Sequence, residues 1–192
     1  GNSPVSDIVN LIPLPPQPAL ANNLTIQNGG YLEIEKNTSI EVLEFVNIAP
    51  NGTLLLRDSA SLIQVTEGAA NTNNNTGAIH MQRSVTGLST YDYVYWSSPV
   101  ENFNVAQISP NTNANAIWKW LPTQAAGGGI GNHGDWRNAT TNEAMIVGQG
   151  YIVRDLGGAT VIPPALPANT TEFIGRPNNG ILTFSISRGT HT

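Results

Sequence analysis

The chain has 192 residues, a net charge of −5, 40% hydrophobic residues and only 11% charged residues. This length and composition fit one large all-β domain or two smaller ones, and they do not fit a disordered chain, which would carry far more charge. The eight lysines and arginines form no basic stripe, which argues against nucleic-acid binding, and the absence of cysteine excludes disulfides and cysteine-ligated zinc.

Residues 1–21 form a proline-rich segment with apolar residues between the prolines. Proline removes backbone donors and favours extended backbone, so we predict a linker that lies along the following β structure or caps it. A solvent-exposed tether is an equally open alternative. The chain has no run of roughly 18 apolar residues, the length that spans a bilayer, and its first residues are no signal peptide. We therefore expect no membrane insertion, and we expect a piece of a longer exported polypeptide rather than a cytosolic protein.

Residues 24–65 repeat themselves at a fixed offset along the chain. Residues 30–34 fall on residues 52–56, and within each repeat apolar and polar residues alternate, as in a β-strand. Asn-Gly pairs stand at the corners, where both residue types tolerate the positive φ of a tight turn. A fixed period of this length is typical of solenoids, in which each repeat buries its apolar face against the next.

The repeats predict a short right-handed parallel β-helix of about two repeats over residues 22–70, with Leu32 stacked on Leu54. The alternative is an ordinary antiparallel meander with similar turns. A polar loop, residues 71–77, follows the repeats and marks the change of architecture.

Residues 78–192 predict an antiparallel β-sandwich or jelly-roll-like domain, because short strands alternate with turns and no window shows helical periodicity. Strands at 78–85 and 91–97 would form a hairpin or a corner. Strands at 171–174 and 181–187 would form a hairpin through a Pro-Asn-Asn-Gly turn. The whole chain is therefore predicted to be all-β.

The sequence offers little support for catalysis. No Gly-x-Ser-x-Gly motif is present, and His80, His133 and His191 lie too far apart for metal-ligand spacing. We interpret His80 as a surface or packing residue. Glu33 and Glu35 share the outward face of a strand, which indicates a solvated surface rather than a pair of glycosidase carboxylates. We predict that the chain is not an enzyme.

Calcium is the metal that the composition leaves open, through Asp92, Asp135 and Asp155. These aspartates stand singly and no Asp-rich ligand loop is present, so a calcium site is not supported and we predict no cofactor.

Aromatic residues are the better candidates for recognition. Trp118 and Trp120 stand two residues apart, so on a strand they share one face. Together with Trp136 and Tyr151 they would form a platform on which the sugar rings of a surface glycan stack. The alternative is that these four side chains form the sandwich core, since Trp and Tyr dominate burial in small β domains.

Five motifs stand out in the second part of the chain. They are Tyr-Val-Tyr-Trp-Ser-Ser-Pro-Val at 93–100, Trp-Lys-Trp at 118–120, Gly-Gln-Gly-Tyr-Ile at 148–152, Gly-Arg-Pro-Asn-Asn-Gly at 175–180 and Ile-Ser-Arg-Gly at 186–189. With the repeats, they resemble the region near the C-terminus of very large Bacteroidetes cell-surface proteins. Those proteins are exported by the type IX secretion system and include gliding-motility adhesins. The resemblance covers about residues 22–192.

The resemblance implies a secreted protein attached to the outer membrane at the cell surface, with the type IX translocon and a shuttle protein as partners. In that family an Asn-Pro-Tyr-Pro motif and a C-terminal sorting domain usually follow, and the sorting domain makes most of these contacts. Neither is present in this sequence. We therefore expect a fragment whose last β domain is incomplete.

The triplet Asp58-Ser59-Ala60 resembles the O-glycosylation sequon of exported Bacteroidetes proteins. The resemblance makes Ser59 a candidate site of glycan attachment at a predicted corner. The alternative is a turn in which Asp58 caps the backbone.

The leading hypothesis is a non-catalytic, presentational segment of a secreted, surface-anchored adhesin-like protein that serves gliding motility or adhesion. The first alternative is a carbohydrate-binding module that uses the aromatic platform. A polysaccharide-degrading enzyme on a β-helix is the least favoured, because two repeats offer too short a groove.

Overall fold

The computed structural model of this chain describes residues 17–66, 72–88, 92–109, 112, 114–124, 134–140, 142–154 and 170–188. The predictions for most of the proline-rich segment and for His133, Asp155 and His191 lie outside these residues. The described part of the chain is all-β and forms four sheets, none of which is closed, as the composition and periodicity predict.

Thirteen strands are defined within the described residues. They are β1 (Ala19–Ala21), β2 (Leu24–Ile26), β3 (Tyr31–Ile34), β4 (Ser39–Val42), β5 (Val46–Ile48), β6 (Thr53–Leu56), β7 (Ser61–Gln64), β8 (Ile79–Ser84), β9 (Tyr93–Trp96), β10 (Ile117–Leu121), β11 (Asp135–Asn138), β12 (Tyr151–Arg154) and β13 (Thr170–Gly175). Two single 3-10 turns, Val105–Gln107 and Ala114–Ala116, complete the regular structure.

The offset between the repeats, predicted from the sequence, is confirmed by strand pairing. β2 pairs with β5, β3 with β6 and β4 with β7, and every pair is parallel. Leu32 is the register partner of Leu54, as predicted. An antiparallel meander is therefore wrong for these strands. Like residues stack on like because the two repeats lie in register.

The tight corners of the repeats require glycine at one position and place one serine in an unusual backbone conformation. A Cβ atom on Gly52 would lie 2.9 Å from the Gln27 carbonyl oxygen, so only glycine allows this close approach between the repeats. Asn37 and Ser59 occupy the equivalent corner of each repeat, with φ of 61° and 63°. Asparagine tolerates this left-handed conformation better than serine does.

Some of the apolar residues of the repeats face inward and form a buried interior. Val42, Val46, Leu54 and Leu56 have no exposed surface. Full burial of one such side chain contributes about 1.5–3 kcal/mol to the free energy of unfolding. The repeats are therefore stabilised mainly by this shared apolar interior.

β8 joins the repeats to the rest of the chain. It pairs in parallel with β6 on one side and antiparallel with β13 on the other, which gives a sheet in the order β13-β8-β6-β3. The strand predicted at 78–85 is thus confirmed, but a hairpin with β9 is wrong. β9 belongs to a second sheet, because the backbone groups of β8 are occupied by β6 and β13.

The second sheet has the order β11-β10-β12-β9, and all its pairs are antiparallel. Its inner side contacts β13 through Trp96 and Phe173, whose ring centroids are 5.7 Å apart. Phe103 packs on the same phenylalanine at 4.7 Å. These contacts give a sandwich-like arrangement, and one apolar cluster runs from the repeats into it.

The hairpin predicted at 171–174 and 181–187 is half right. β13 forms, but residues 181–188 are exposed and contain no strand. The turn before these residues is bound to the segment that contains Pro99 and Val100. The Asn178 N–H donates to the Pro99 carbonyl, and Pro177 forms an antiparallel β-bridge with Val100. These bonds direct the chain away from β13.

Asn75 joins the second repeat to the segment that follows β13. Its side-chain oxygen accepts hydrogen bonds from the Val46 N–H at 2.8 Å and from Gln64 Nε2 at 2.9 Å. Its amide nitrogen donates to Gln64 Oε1 at 2.8 Å and to the Pro177 carbonyl at 3.1 Å. The amide of this buried residue is therefore fully hydrogen-bonded.

Candidate functional site

The antiparallel sheet β11-β10-β12-β9 has one face that packs inward and one that faces solvent. Ile117, Val153 and Val94 are in register on the inner face and are buried. The next residue along β10, Trp118, therefore points outward, and so does Trp120.

The outward face is rich in aromatic side chains. Trp136 is the register partner of Trp120 in β11, and Tyr95 is joined to Trp118 through Ile152 of β12. Tyr93 shares this face because it lies two residues before Tyr95. We call this set the aromatic face: Tyr93, Tyr95, Trp118, Trp120 and Trp136.

Exposure separates the aromatic face from the core. Tyr95 is 71% exposed, Tyr93 47% and Trp120 38%, and Trp118 and Trp136 are half-buried. Ile152, which lies between Trp118 and Tyr95 in the register, is 8% exposed. The outer rings thus shield an aliphatic residue beneath them and still present surface to solvent. Exposed apolar side chains grouped on one face of a sheet are a common feature of binding surfaces.

The rings of the aromatic face form two pairs. Trp120 and Trp136 have centroids 5.3 Å apart with an interplanar angle of 65°, and Tyr93 and Trp118 have centroids 5.8 Å apart with an angle of 58°. Such inclined contacts are the preferred geometry for aromatic pairs. Each pair therefore forms a corner of two ring surfaces rather than one flat plane.

Backbone contacts fix the position of Trp120. Gln149 Nε2 donates to the Trp120 carbonyl at 2.9 Å. Gly134, with φ of 87°, lies so close that a Cβ atom there would collide with the Trp120 indole ring. Glycine at position 134 therefore allows the Trp120 indole ring to pack directly against the backbone.

Tyr151 is not part of this site, so its place in the predicted platform is wrong. It is completely buried on the opposite face, where Trp96 and Lys119 are its register partners. Its hydroxyl oxygen accepts from the Ile146 N–H at 3.0 Å. Burial raises the pKa of this phenol above its ordinary value. The core interpretation is the correct one for Tyr151.

Sequence reasoning missed Tyr93 and Tyr95 as members of the site. The alternation of Tyr93, Val94, Tyr95 and Trp96 was visible, and it places the two tyrosines on one face. The pairing of β9 with β12, more than fifty positions apart in the chain, is what brings them beside the tryptophans.

Charged residues near this sheet are engaged in ion pairs. Lys119 Nζ lies 2.6 Å from Glu143 Oε2, and Arg137 Nη1 lies 3.2 Å from Asp135 Oδ2. Among the described residues, which include Asp92 and Asp135 but not Asp155, no group of three or more His, Cys, Asp or Glu side chains is placed to hold a metal ion.

The outer face of the sheet β13-β8-β6-β3 carries a polar row. His80 Nδ1 lies 2.6 Å from Glu172 Oε1, and this hydrogen bond is the main reason that the pKa of the Glu172 carboxyl is lowered. Arg57 Nη2 donates to Glu33 Oε2 at 3.0 Å, and the pKa of Glu33 is lowered chiefly by this arginine. Glu33 is therefore held in an ion pair with Arg57, and Glu172 in a hydrogen bond with His80 on the neighbouring strand.

Ser59 is exposed at its corner, next to a well-bonded aspartate. Asp58 Oδ1 accepts from the Ser84 N–H at 3.0 Å, which lowers the pKa of Asp58, and Lys36 Nζ lies 3.2 Å from its other oxygen. Asp58 therefore binds the backbone of β8, which differs from the predicted alternative of a turn whose own backbone Asp58 caps. Glycan attachment to the exposed Ser59 hydroxyl stays a prediction.

Comparison with known proteins gives one match. A family model described as a domain of unknown function, DUF8693, matches residues 6–192. No curated protein and no solved structure matches the chain. Across the described ranges, no helix has both the length and the apolar character needed to cross a membrane.

Proposed function

The chain belongs to the family DUF8693, a domain of unknown function, so its activity has to be inferred from its own residues, and we propose that it is a non-catalytic module that binds glycans. The observation that carries this proposal is the aromatic face. Five aromatic rings share the outward side of one sheet, and three of them are substantially exposed.

Stacking on a sugar explains why these rings are outside. The C–H face of a pyranose packs on an aromatic ring, and its hydroxyls remain free to bond water or polar groups. Tyrosine and tryptophan lose little side-chain freedom on binding, so a fixed ring gives contact area at low entropic cost. The two inclined ring pairs supply such surfaces without a deep pocket.

Binding of the purified chain to a panel of immobilised polysaccharides tests this proposal. We expect retention on at least one neutral polysaccharide and its loss in Trp120→Ala and in Tyr95→Ala. Tyr31→Ala is the matched control, because Tyr31 is 62% exposed on a different sheet. Loss of retention in the control as well, or no retention of the wild-type chain, would overturn the proposal.

A second role, as a presentational segment, is favoured by the parallel pairing of the repeats. We propose that residues 22–70 are a short right-handed parallel β-helix that supports a β-sandwich over residues 78–192. Continuous ladders with a packed interior make a stiff support on which a binding face is held away from the cell. This role and glycan binding are compatible, since an adhesin needs both a stalk and a contact surface.

The resemblance to exported Bacteroidetes proteins supports placing this segment at the cell surface, attached to the outer membrane, as cargo of the type IX translocon and its shuttle protein. Labelling of intact cells with an antibody against this chain tests that placement. Surface signal that disappears when the type IX translocon is inactivated is the expected result. Signal confined to lysed cells would refute it.

A further inference from the structure

The aromatic face contains two separate ring pairs, and their positions bear on the size of the ligand. Subsite 1 is formed by Trp120 and Trp136, and subsite 2 by Trp118 and Tyr93. Trp120 and Trp118 are two residues apart on β10, or about 6.8 Å along the strand at roughly 3.4 Å per residue.

The two subsites also diverge across the sheet. Subsite 1 extends from β10 towards β11, whereas subsite 2 extends from β10 across β12 to β9. With neighbouring strands about 4.8 Å apart, the centres of the two pairs are separated by on the order of 10 Å. A single sugar ring is shorter than this separation.

Open space beside Trp120 adds to subsite 1. Gly150 lies opposite Trp120, because Tyr151, the next residue, is the register partner of Lys119. A Cβ atom on Gly150 would meet no heavy atom within 4 Å. A ring of the ligand can therefore lie over Gly150 and contact the indole.

We infer that the aromatic face binds an extended, neutral polysaccharide whose sugars occupy both subsites at once, an inference that rests on the proposed glycan-binding function. The net charge of −5 disfavours an acidic polymer, although Arg154, the register partner of Tyr93, adds one positive charge on the outward face. Stacking favours a sugar whose hydroxyls are mostly equatorial, because such a ring exposes C–H groups on both faces. A β linkage between such sugars keeps the chain extended, which contact with both subsites requires, so we take the ligand class to be a β-linked glucan or N-acetylglucosamine polymer.

Isothermal titration with cellohexaose and chitohexaose, and with the corresponding disaccharides, tests this inference. For the preferred hexasaccharide we expect binding about tenfold weaker, a loss of about 1.4 kcal/mol, in Trp120→Ala and equally in Trp118→Ala. Gly150→Leu, which keeps every aromatic ring but fills the space beside Trp120, is expected to have the same effect. Tyr31→Ala serves as the control, and thermal unfolding shows that each variant is folded.

The outcomes separate the two levels of the proposal. Hexasaccharide binding that is much tighter than disaccharide binding, and sensitive to both subsites, supports the inference. Equal affinity for both lengths, or insensitivity to Trp118→Ala, refutes the two-subsite ligand but leaves glycan binding in place. A wild-type chain that binds neither these oligomers nor any immobilised polysaccharide overturns the proposed function itself.

Discussion

Replacement of Asn75, a residue outside the aromatic face, by alanine is expected to destabilise the chain strongly. Its side chain is 1% exposed and joins three separate segments through four hydrogen bonds. Alanine removes both the acceptor and the donor ends of this amide. The loss of stability in this variant therefore measures how much the Asn75 hydrogen bonds contribute to holding the second repeat against the segment that follows β13.

The magnitude follows from which groups lose their last partner. Val46 is completely buried, and its N–H loses the Asn75 oxygen, a change that costs about 1–3 kcal/mol. Gln64 Nε2 keeps a bond to the Glu44 carbonyl and the Pro177 carbonyl keeps one from Asn73, whereas Gln64 Oε1 loses its bond to Asn75 but belongs to a half-buried side chain that water can reach. Each of these three losses therefore costs nearer 0.5–1 kcal/mol. We expect a total of about 3 kcal/mol, or a fall in Tm of roughly 6–12 °C.

Urea unfolding followed by the fluorescence of the four tryptophans measures this change. Asn23→Ala is the matched control, since Asn23 also accepts from a backbone N–H, that of Phe45 at 3.3 Å, but in an exposed position. The control should cost less than about 1 kcal/mol. A loss below about 1 kcal/mol in Asn75→Ala would show that water replaces the amide and would refute this reasoning.

Three further predictions concern strain and pH. Gly77→Ala should lower the free energy of unfolding by about 2 kcal/mol or more, because a Cβ atom there would collide with the Ile48 carbonyl. Gly87→Ala should lower it less, because Gly87 has the same φ of 75° but lies in open space. The midpoints of urea unfolding compare the two variants. Ser59→Gly should raise the free energy of unfolding by up to about 1 kcal/mol, since it relieves a positive φ; an unchanged or lower Tm would contradict this. The pKa of Glu172 is lowered in the folded chain, so this carboxylate stabilises the fold fully above its unfolded pKa of about 4.3, and the stabilisation is lost as pH falls through the folded value. Glu172→Gln should therefore flatten the fall in the free energy of unfolding between about pH 5 and pH 3. The same dependence of unfolding free energy on pH in the variant and the wild type would count against this reasoning.

The repeats are the part of the fold that the sequence predicts best. Parallel strands in register bring like residues together, so the offset between the two repeats in the sequence becomes the same offset in the pairing of Leu32 with Leu54. The corners could be recognised for the same reason, because Asn37 and Ser59 are equivalent positions.

The pairing of the later strands could not be predicted, because it is non-local. β13 reaches back to β8 across about ninety positions, and no turn motif specifies that partner. The hairpin signal before residue 181 failed because Pro99 and Val100 compete for the backbone of the turn. Local propensity is overridden when a distant segment satisfies the same groups.

The candidate site was predicted in part. The spacing of Trp118 and Trp120 correctly placed both on one face, and Trp136 joins them through β11. Whether that face lies inside or outside depends on which side of the sheet meets Phe173, and spacing carries no such information. The same ambiguity misplaced Tyr151, whose hydroxyl gives no sign in the sequence that it is buried.

β8 belongs to both halves of the molecule, and this has a practical consequence for truncated forms. Its side towards β6 continues the repeats, and its side towards β13 begins the antiparallel region. A chain cut between residues 72 and 77 would leave β6 with an uncovered apolar edge and β8 without half of its backbone partners. Each piece expressed alone should therefore aggregate, whereas the two pieces mixed together should recover solubility by re-forming the shared sheet.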